Sequence, residues 1–175
     1  MEIITIFDPY LFSMKYEDEA VDELERLFDN WADIEMLEEF FKSNENDLIY
    51  FNLSIDEAIV ETGKEAKAFR KKMLNLLKED NPELDNLFQN LDDYETGIFE
   101  LSKQKSKRRW LRLYAIRIDR NSYLITGRAI KLTLKMDQRS HTQIELDKLE
   151  RCKSFLRDND VFDYDSFKEM FNDKL

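Results

Sequence analysis

Four cations in the second half of the sequence, Arg112, Lys131, Lys135 and Arg139, lie within or just beyond two runs rich in β-branched and aromatic residues. The runs are LRLYAIRI (111–118) and SYLITGRAIKLTLKM (122–136). Asp119-Arg120-Asn121-Ser122 separates them, and asparagine tolerates the positive φ that a tight hairpin turn needs. With Asn121 and Ser122 as the turn residues, Arg112 stands opposite Lys131, Tyr114 opposite Ala129 and Trp110 opposite Thr133. Like charges directly opposite each other weaken a ladder unless an anion lies between them, and a phosphate would supply it. Side-chain alternation adds Lys135 to that face and turns Leu111, Leu113, Ile130 and Leu132 to the other, where they pack against helices. A bulge at Gly127 would shift this register by one residue.

His141 stands just ahead of Thr142-Gln143-Ile144-Glu145, which reads as a capping box. The positive end of a helix dipole there disfavours protonation and leaves the imidazole available as a base, although a lone histidine at a helix start also occurs with no chemical task. Trp110 can stack on a nucleobase or pack at a strand edge, and Tyr114 and Tyr123 read first as strand aromatics. The dense carboxylates Glu17-Asp18-Glu19, Glu38-Glu39 and Asp92-Asp93 fit solvated helix faces and loops better than an ordered ligand set.

The elements that must position these residues follow from periodicity. MEIITIF reads as a first strand stopped by Asp8-Pro9. Val21, Leu24, Leu27, Phe28 and Trp31 recur at helical spacing, and Ile34, Leu37, Phe40 and Phe41 mark a second, shorter helix. Ser54 and Glu57 form a capping box for a long helix that ends before Asn81-Pro82 and is interrupted only by Gly63. Pro82 opens one more short helix through Leu84, Leu87, Phe88 and Leu91. After the hairpin, a helix runs to about residue 157, and Phe162, Phe167, Met170 and Phe171 mark a final amphipathic one.

The 175 residues, with 3 Gly and 2 Pro, suit one helix-rich domain. Its charge is unevenly spread. Residues 1–102 carry 9 basic and 27 acidic side chains, residues 103–151 carry 14 and 5, and residues 152–175 carry 4 and 6. Either the acidic and basic portions face each other or the basic portion meets an outside polyanion. One Cys and one His exclude a disulfide framework and a Cys- or His-based metal cluster. A P-loop, a dinucleotide glycine pattern and a serine nucleophile elbow are absent, so no cofactor is expected. The acidic start lacks a signal-peptide n-region and no apolar run approaches a spanning length, which leads us to expect a soluble, cytoplasmic chain with no membrane partner.

WLRLYAIRIDRNSYLITGRAIKLT (110–133), followed by HTQIELDKLERCKSFL (141–156), resembles the carboxy-terminal half of the RelE/HigB/ParE toxin superfamily, over roughly residues 84–157. The resemblance implies an α+β fold, with a helical amino-terminal portion packed on a small antiparallel sheet and a closing carboxy-terminal helix. Charge and periodicity divide the single domain of residues 1–175 into an acidic strand-plus-helices portion (1–102), a basic sheet with its closing helix (103–157) and a final amphipathic helix (158–175). The resemblance also implies the toxin of a two-gene module, neutralised by a small antitoxin and cutting messenger RNA, at the ribosome in RelE-like members. Carried over by position and type, Arg112, Lys131 and Lys135 would grip the scissile phosphate, with Arg139 beside them, His141 moving the proton and Tyr114 assisting. Lys103, Lys105, Lys107, Arg108, Arg109 and Trp110 would hold neighbouring RNA. Such a cleavage needs a base and charge-stabilising cations but no metal. A non-enzymatic protein that holds an acidic partner on the same basic face is the rival expectation. The acidic first 102 residues exceed the usual small toxin.

Overall fold

The computed structural model describes residues 1–91, 101–106, 110–133 and 139–172. Strand β1 (Glu2–Phe7) turns back into β2 (Leu11–Lys15), and Ser13 then meets the start of helix α1 (Glu23–Ala32). Asp22 caps α1 by accepting the Leu24 and Glu25 amides at 2.9 and 3.3 Å, while Ser13 Oγ accepts Leu24 N–H at 3.0 Å. Asp33 caps α2 (Ile34–Ser43), a short α3 (Glu45–Leu48) follows, and the expected Ser54–Glu57 capping box opens α4 (Ile55–Leu76).

Next come β3 (Phe88–Asn90), β4 (Ser102–Ser106), β5 (Leu111–Asp119), β6 (Ser122–Ile130), α5 (Ser140–Asp158) and α6 (Tyr164–Asn172). The chain is α+β, with its strands in one sheet of order β1-β2-β6-β5-β4-β3. The sheet is mixed, not antiparallel throughout, because β2 runs parallel to β6 while the run from β6 to β3 is antiparallel. The helix expected after Pro82 is instead a single 3-10 turn (Leu84–Asn86) leading into β3. The capping box expected at Thr142 does not form. α5 starts at Ser140, Thr142 Oγ1 donates to Arg139 O at 2.9 Å, and Glu145 faces the sheet.

Helices cover both faces of the sheet. Leu111, Leu113, Ile130 and Leu132 pack with α1, α2 and α4, as the alternation predicts. On the reverse face Tyr114, Ile116, Leu124 and Ala129 pack with Leu149, Cys152 and Leu156 of α5 and Phe167 of α6. The hairpin is therefore core on both sides along most of its length. This corrects the expectation of an open cationic face, and α5 and α6 are the elements that close it. The same burial pushes the Cys152 thiol up to about 11, which keeps it protonated and unreactive at neutral pH.

Two polar clusters pin these layers. At the hairpin turn, the Asp85 carboxylate accepts from Asn121 N–H at 3.1 Å, from Arg117 Nη2 at 2.9 Å and from the Tyr123 hydroxyl. Under α1, the fully buried Glu23 takes Arg26 at 2.7 Å, Arg128 of β6 at 2.8 Å and Lys148 of α5 at 3.4 Å. Lys148 also reaches Glu145 at 2.9 Å, and Glu145 Oε2 accepts Arg128 N–H at 2.9 Å. Burial, with Glu23 nearby, holds the Glu145 carboxyl above its ordinary range despite Lys148. Gly127 supplies the space this carboxylate occupies, since a Cβ there would lie 1.8 Å from Glu145 Oε2.

Two stability measurements check this account by urea denaturation. Glu23→Ala strips the carboxylate from Arg128 and Lys148 inside the protein, and should cost about 3–5 kcal/mol. Gly127→Ala drives a methyl group into a held carboxylate and should cost about 1–3 kcal/mol, whereas a Gly127→Ala change with no cost would show that Glu145 is not fixed there.

Candidate anion-binding site

The register at the open end of the hairpin decides which cations meet. Asp119 pairs with Ser122, so Arg120 and Asn121 are the turn residues, with Asn121 at φ 61°. An extra residue, Thr126, then interrupts β6, because Ala115 pairs with Ile125 but Tyr114 with Gly127. Ile118 is the matching extra residue in β5, so the two offset each other and the turn sets the pairing: Arg112 faces Ala129, Tyr114 faces Gly127, and neither faces the residue expected from a turn at Asn121-Ser122. Lys131 continues the ladder past β6 by donating its N–H to Trp110 O at 2.8 Å.

The charges still converge. Arg112 shares the strand face of Tyr114, Lys131 continues the alternation of Ala129, and Lys105 of β4 lies opposite Tyr114. The Lys131 ammonium is held below its ordinary pKa by burial, and further by the positive charges of Arg112 and Lys105. Burial also lowers Arg112, with Tyr114 and Glu65 acting in the opposite direction. Lys105 Nζ donates to Leu91 O at 3.2 Å. Three cations from three adjacent elements thus crowd one partly dehydrated end of the sheet, an arrangement that an anion would stabilise.

Several other expected site residues are placed elsewhere. Trp110 is 0% exposed, its Nε1–H donates to Thr62 Oγ1 at 3.1 Å and the rings of Phe41 and Phe51 stand edge-on to it, so it is a core residue and not a stacking platform. Tyr114 is fully buried as well, and burial raises its hydroxyl pKa, so it offers neither a surface contact nor a ready proton at neutral pH. Its oxygen has no hydrogen-bond partner among the described residues. Arg139 clamps Asp47 through two nitrogens, at 2.9 and 2.6 Å. Lys103 pairs with Glu150 of α5 at 2.8 Å.

His141 Nε2 lies 2.9 Å from Ile130 O, so that nitrogen carries the proton, and its ring stands edge-on to Phe40. It lines a cleft of about 240 Å³ with Asn30, Trp31, Arg128 and Glu145, on the flank of β6 away from β5. This places His141 across β6 from Arg112 and removes it as the natural proton acceptor for that cluster. Lys107, Arg108, Arg109 and Lys135 lie outside the described residues.

No family model, curated protein or solved structure matches this chain. Among the described residues no helix is long and apolar enough to cross a membrane. What the arrangement can do chemically follows from its charges. Arg112 stays protonated at any working pH. Lys131, held below its ordinary pKa first by burial and then by Arg112 and Lys105, gives up a proton more readily than an ordinary lysine. Arg112→Gln should therefore raise the Lys131 pKa toward the ordinary lysine value, read by NMR pH titration of ¹³C-methylated lysines. An unmoved Lys131 resonance would mean that the two charges do not sense each other.

Proposed function

We propose that the protein is a RelE/HigB-like toxin that binds RNA at the Arg112–Lys131–Lys105 site and cleaves it there without a metal ion. The observation that carries this reading is the crowding of those three cations, with Lys131 depressed by its neighbours, at the end of an antiparallel β6-β5-β4-β3 run. The resemblance of residues 84–157 to that superfamily points the same way. Messenger RNA, at the ribosome or free, is the substrate in this reading. A small antitoxin protein is the partner and the cytoplasm the compartment.

The reaction needs few parts. The ribose 2'-oxygen attacks the adjacent phosphorus, the bond from phosphorus to the 5'-oxygen breaks, and a cyclic phosphate and a free 5'-hydroxyl result. Lys131 in its neutral form accepts the 2'-hydroxyl proton, a role its lowered pKa suits, and the departing 5'-oxygen takes its proton from solvent water. Arg112 and Lys105 stabilise the charge that accumulates on the phosphoryl oxygens. Lys131 thereby replaces His141 as the base. Arg109, Arg108 and Lys107 precede Trp110 directly in sequence, and with Lys135 they supply further cations for the flanking phosphates.

One set of observations favours the non-enzymatic alternative, in which the basic face only holds an acidic partner. Lys103 and Arg139, both assigned to RNA from sequence, engage the protein's own Glu150 and Asp47. The experiment compares wild type with Lys131→Ala and Arg112→Ala, by induced expression and by sequencing messenger RNA ends in a ribosome-containing extract. Growth arrest with cleavage, lowered about 10²–10⁴-fold by Lys131→Ala in a variant of unchanged thermal stability, is the expected result. Arrest without cleavage would select the binding reading, and neither arrest nor cleavage would discard the toxin reading.

A further inference from the structure

We infer that the cleft between α1, α2 and α4 is a docking groove for an acidic amphipathic helix of a partner protein. It lies on the helical side of the molecule and does not depend on the RNA reading. The cleft encloses about 440 Å³, floored by Trp31, Leu37 and Ala66 and walled by Phe28, Ile59 and Gly63. A second cleft of about 320 Å³ continues along α4 beside Lys67, Lys71, Leu74 and Lys78.

Charge and apolar exposure along α4 define what fits. Of the nine basic residues in 1–102, six lie between positions 64 and 78: Lys64, Lys67, Arg70, Lys71, Lys72 and Lys78. Glu65 is the one carboxylate in that span, so a strongly acidic half of the chain carries one markedly cationic helix segment. Val60, Lys64, Lys67, Lys71 and Leu74 follow helical spacing and share a stripe. Val60 and Leu74, 53% and 47% exposed, mark its two ends, and Ile34, 66% exposed, stands on the opposite lip. Fourteen residues of helix span about 21 Å. A partner helix of about four turns would set apolar side chains at both ends and in the cleft, with carboxylates against the lysines between. Lys64 already pairs with Glu61 at 3.2 Å, and Arg70 lies over the Phe28 ring at 5.4 Å, which leaves Lys67 and Lys71 as the central charges.

Gly63 supplies the second argument. A glycine inside a helix is a poor helix former, and a Cβ here would meet nothing within 4 Å. Intramolecular packing therefore does not require the missing side chain. The open space beside it is part of the groove.

The test uses the full chain and a fluorescein-labelled helical peptide with leucines on one face and glutamates on both flanks, read by anisotropy, against a matched peptide with lysines for the glutamates. The glutamate peptide should bind at least about tenfold more tightly, with methyl NMR shifts at Ile34, Val60 and Leu74. Gly63→Leu should hold or raise the Tm, leucine being the better helix former, and weaken peptide binding about tenfold or more. Lys67→Glu with Lys71→Glu should reverse the preference between the peptides. Binding indifferent to flank charge, or unchanged in the well-folded Gly63→Leu variant, would overturn the inference. So would displacement of the peptide by single-stranded RNA or by anionic phospholipid vesicles, or self-association of the chain that Gly63→Leu abolishes.

Discussion

A carboxylate that loses all contact with water must be surrounded by cations, and Glu23 is that carboxylate here. It is 1% exposed, at the first position of α1, and takes charges from its own helix, from β6 and from α5. Burying an ion costs several kcal/mol unless its geometry is fully satisfied, so this cluster tolerates little displacement of any element that feeds it. It fixes α1 against the sheet on one side and α5 on the other. Both helical layers are therefore registered to β6, and β6 sets the position of Lys131 and, through the ladder, of Arg112.

The uneven charge of the chain takes on meaning from this arrangement. Between the acidic portion and residues 103–151, Arg117 meets Asp85, Arg128 and Lys148 meet Glu23, and Arg139 meets Asp47. These pairs hold a sheet whose strands come from both portions. Internal pairing thus accounts for several of the basic residues. Arg112, on which Glu65 also acts, and Lys105 lie close enough to Lys131 to add to the lowering that burial imposes on it. The functional reading draws on that local arrangement, and not on the total.

Much of the architecture was legible, and the misses share a cause. Helices α1, α2 and α4 bury one stripe each against the sheet, so their apolar period, their aspartate and serine caps and the Asn121 turn could all be read directly. β2 could not, because four of its five residues are buried and no alternation survives when both faces are covered. β3 has only three residues, and Phe88 with the flanking Leu84, Leu87 and Leu91 fits a helical spacing equally well. The site suffered from the same two-sidedness. Reading Arg112 and Tyr114 as an exposed face assumed a one-sided hairpin, and nothing in the spacing of LRLYAIRI reports that α5 and α6 lie over it. A bulge was anticipated at Gly127, but the turn was placed one residue too late, and that step alone changes the pairing at the open end, because the irregularities at Ile118 and Thr126 offset each other. The cationic half of α4 was hidden by averaging, since the 27 carboxylates of the first 102 residues outweigh it.

The identity of the residue that yields its proton follows from the chemistry of the cluster. An arginine cannot relieve crowding by deprotonating, because its guanidinium holds the charge at any pH a cell reaches. The strain among Arg112, Lys105 and Lys131 must therefore fall on a lysine. Lys105 is anchored by Leu91 O, while Lys131 carries burial as well as both neighbouring charges. In the proposed cleavage Lys131 would act as the base, and the proton it gains from a hydroxyl would restore a positive charge beside the developing anion. The cations proposed to hold the substrate would then also be the ones that tune the base.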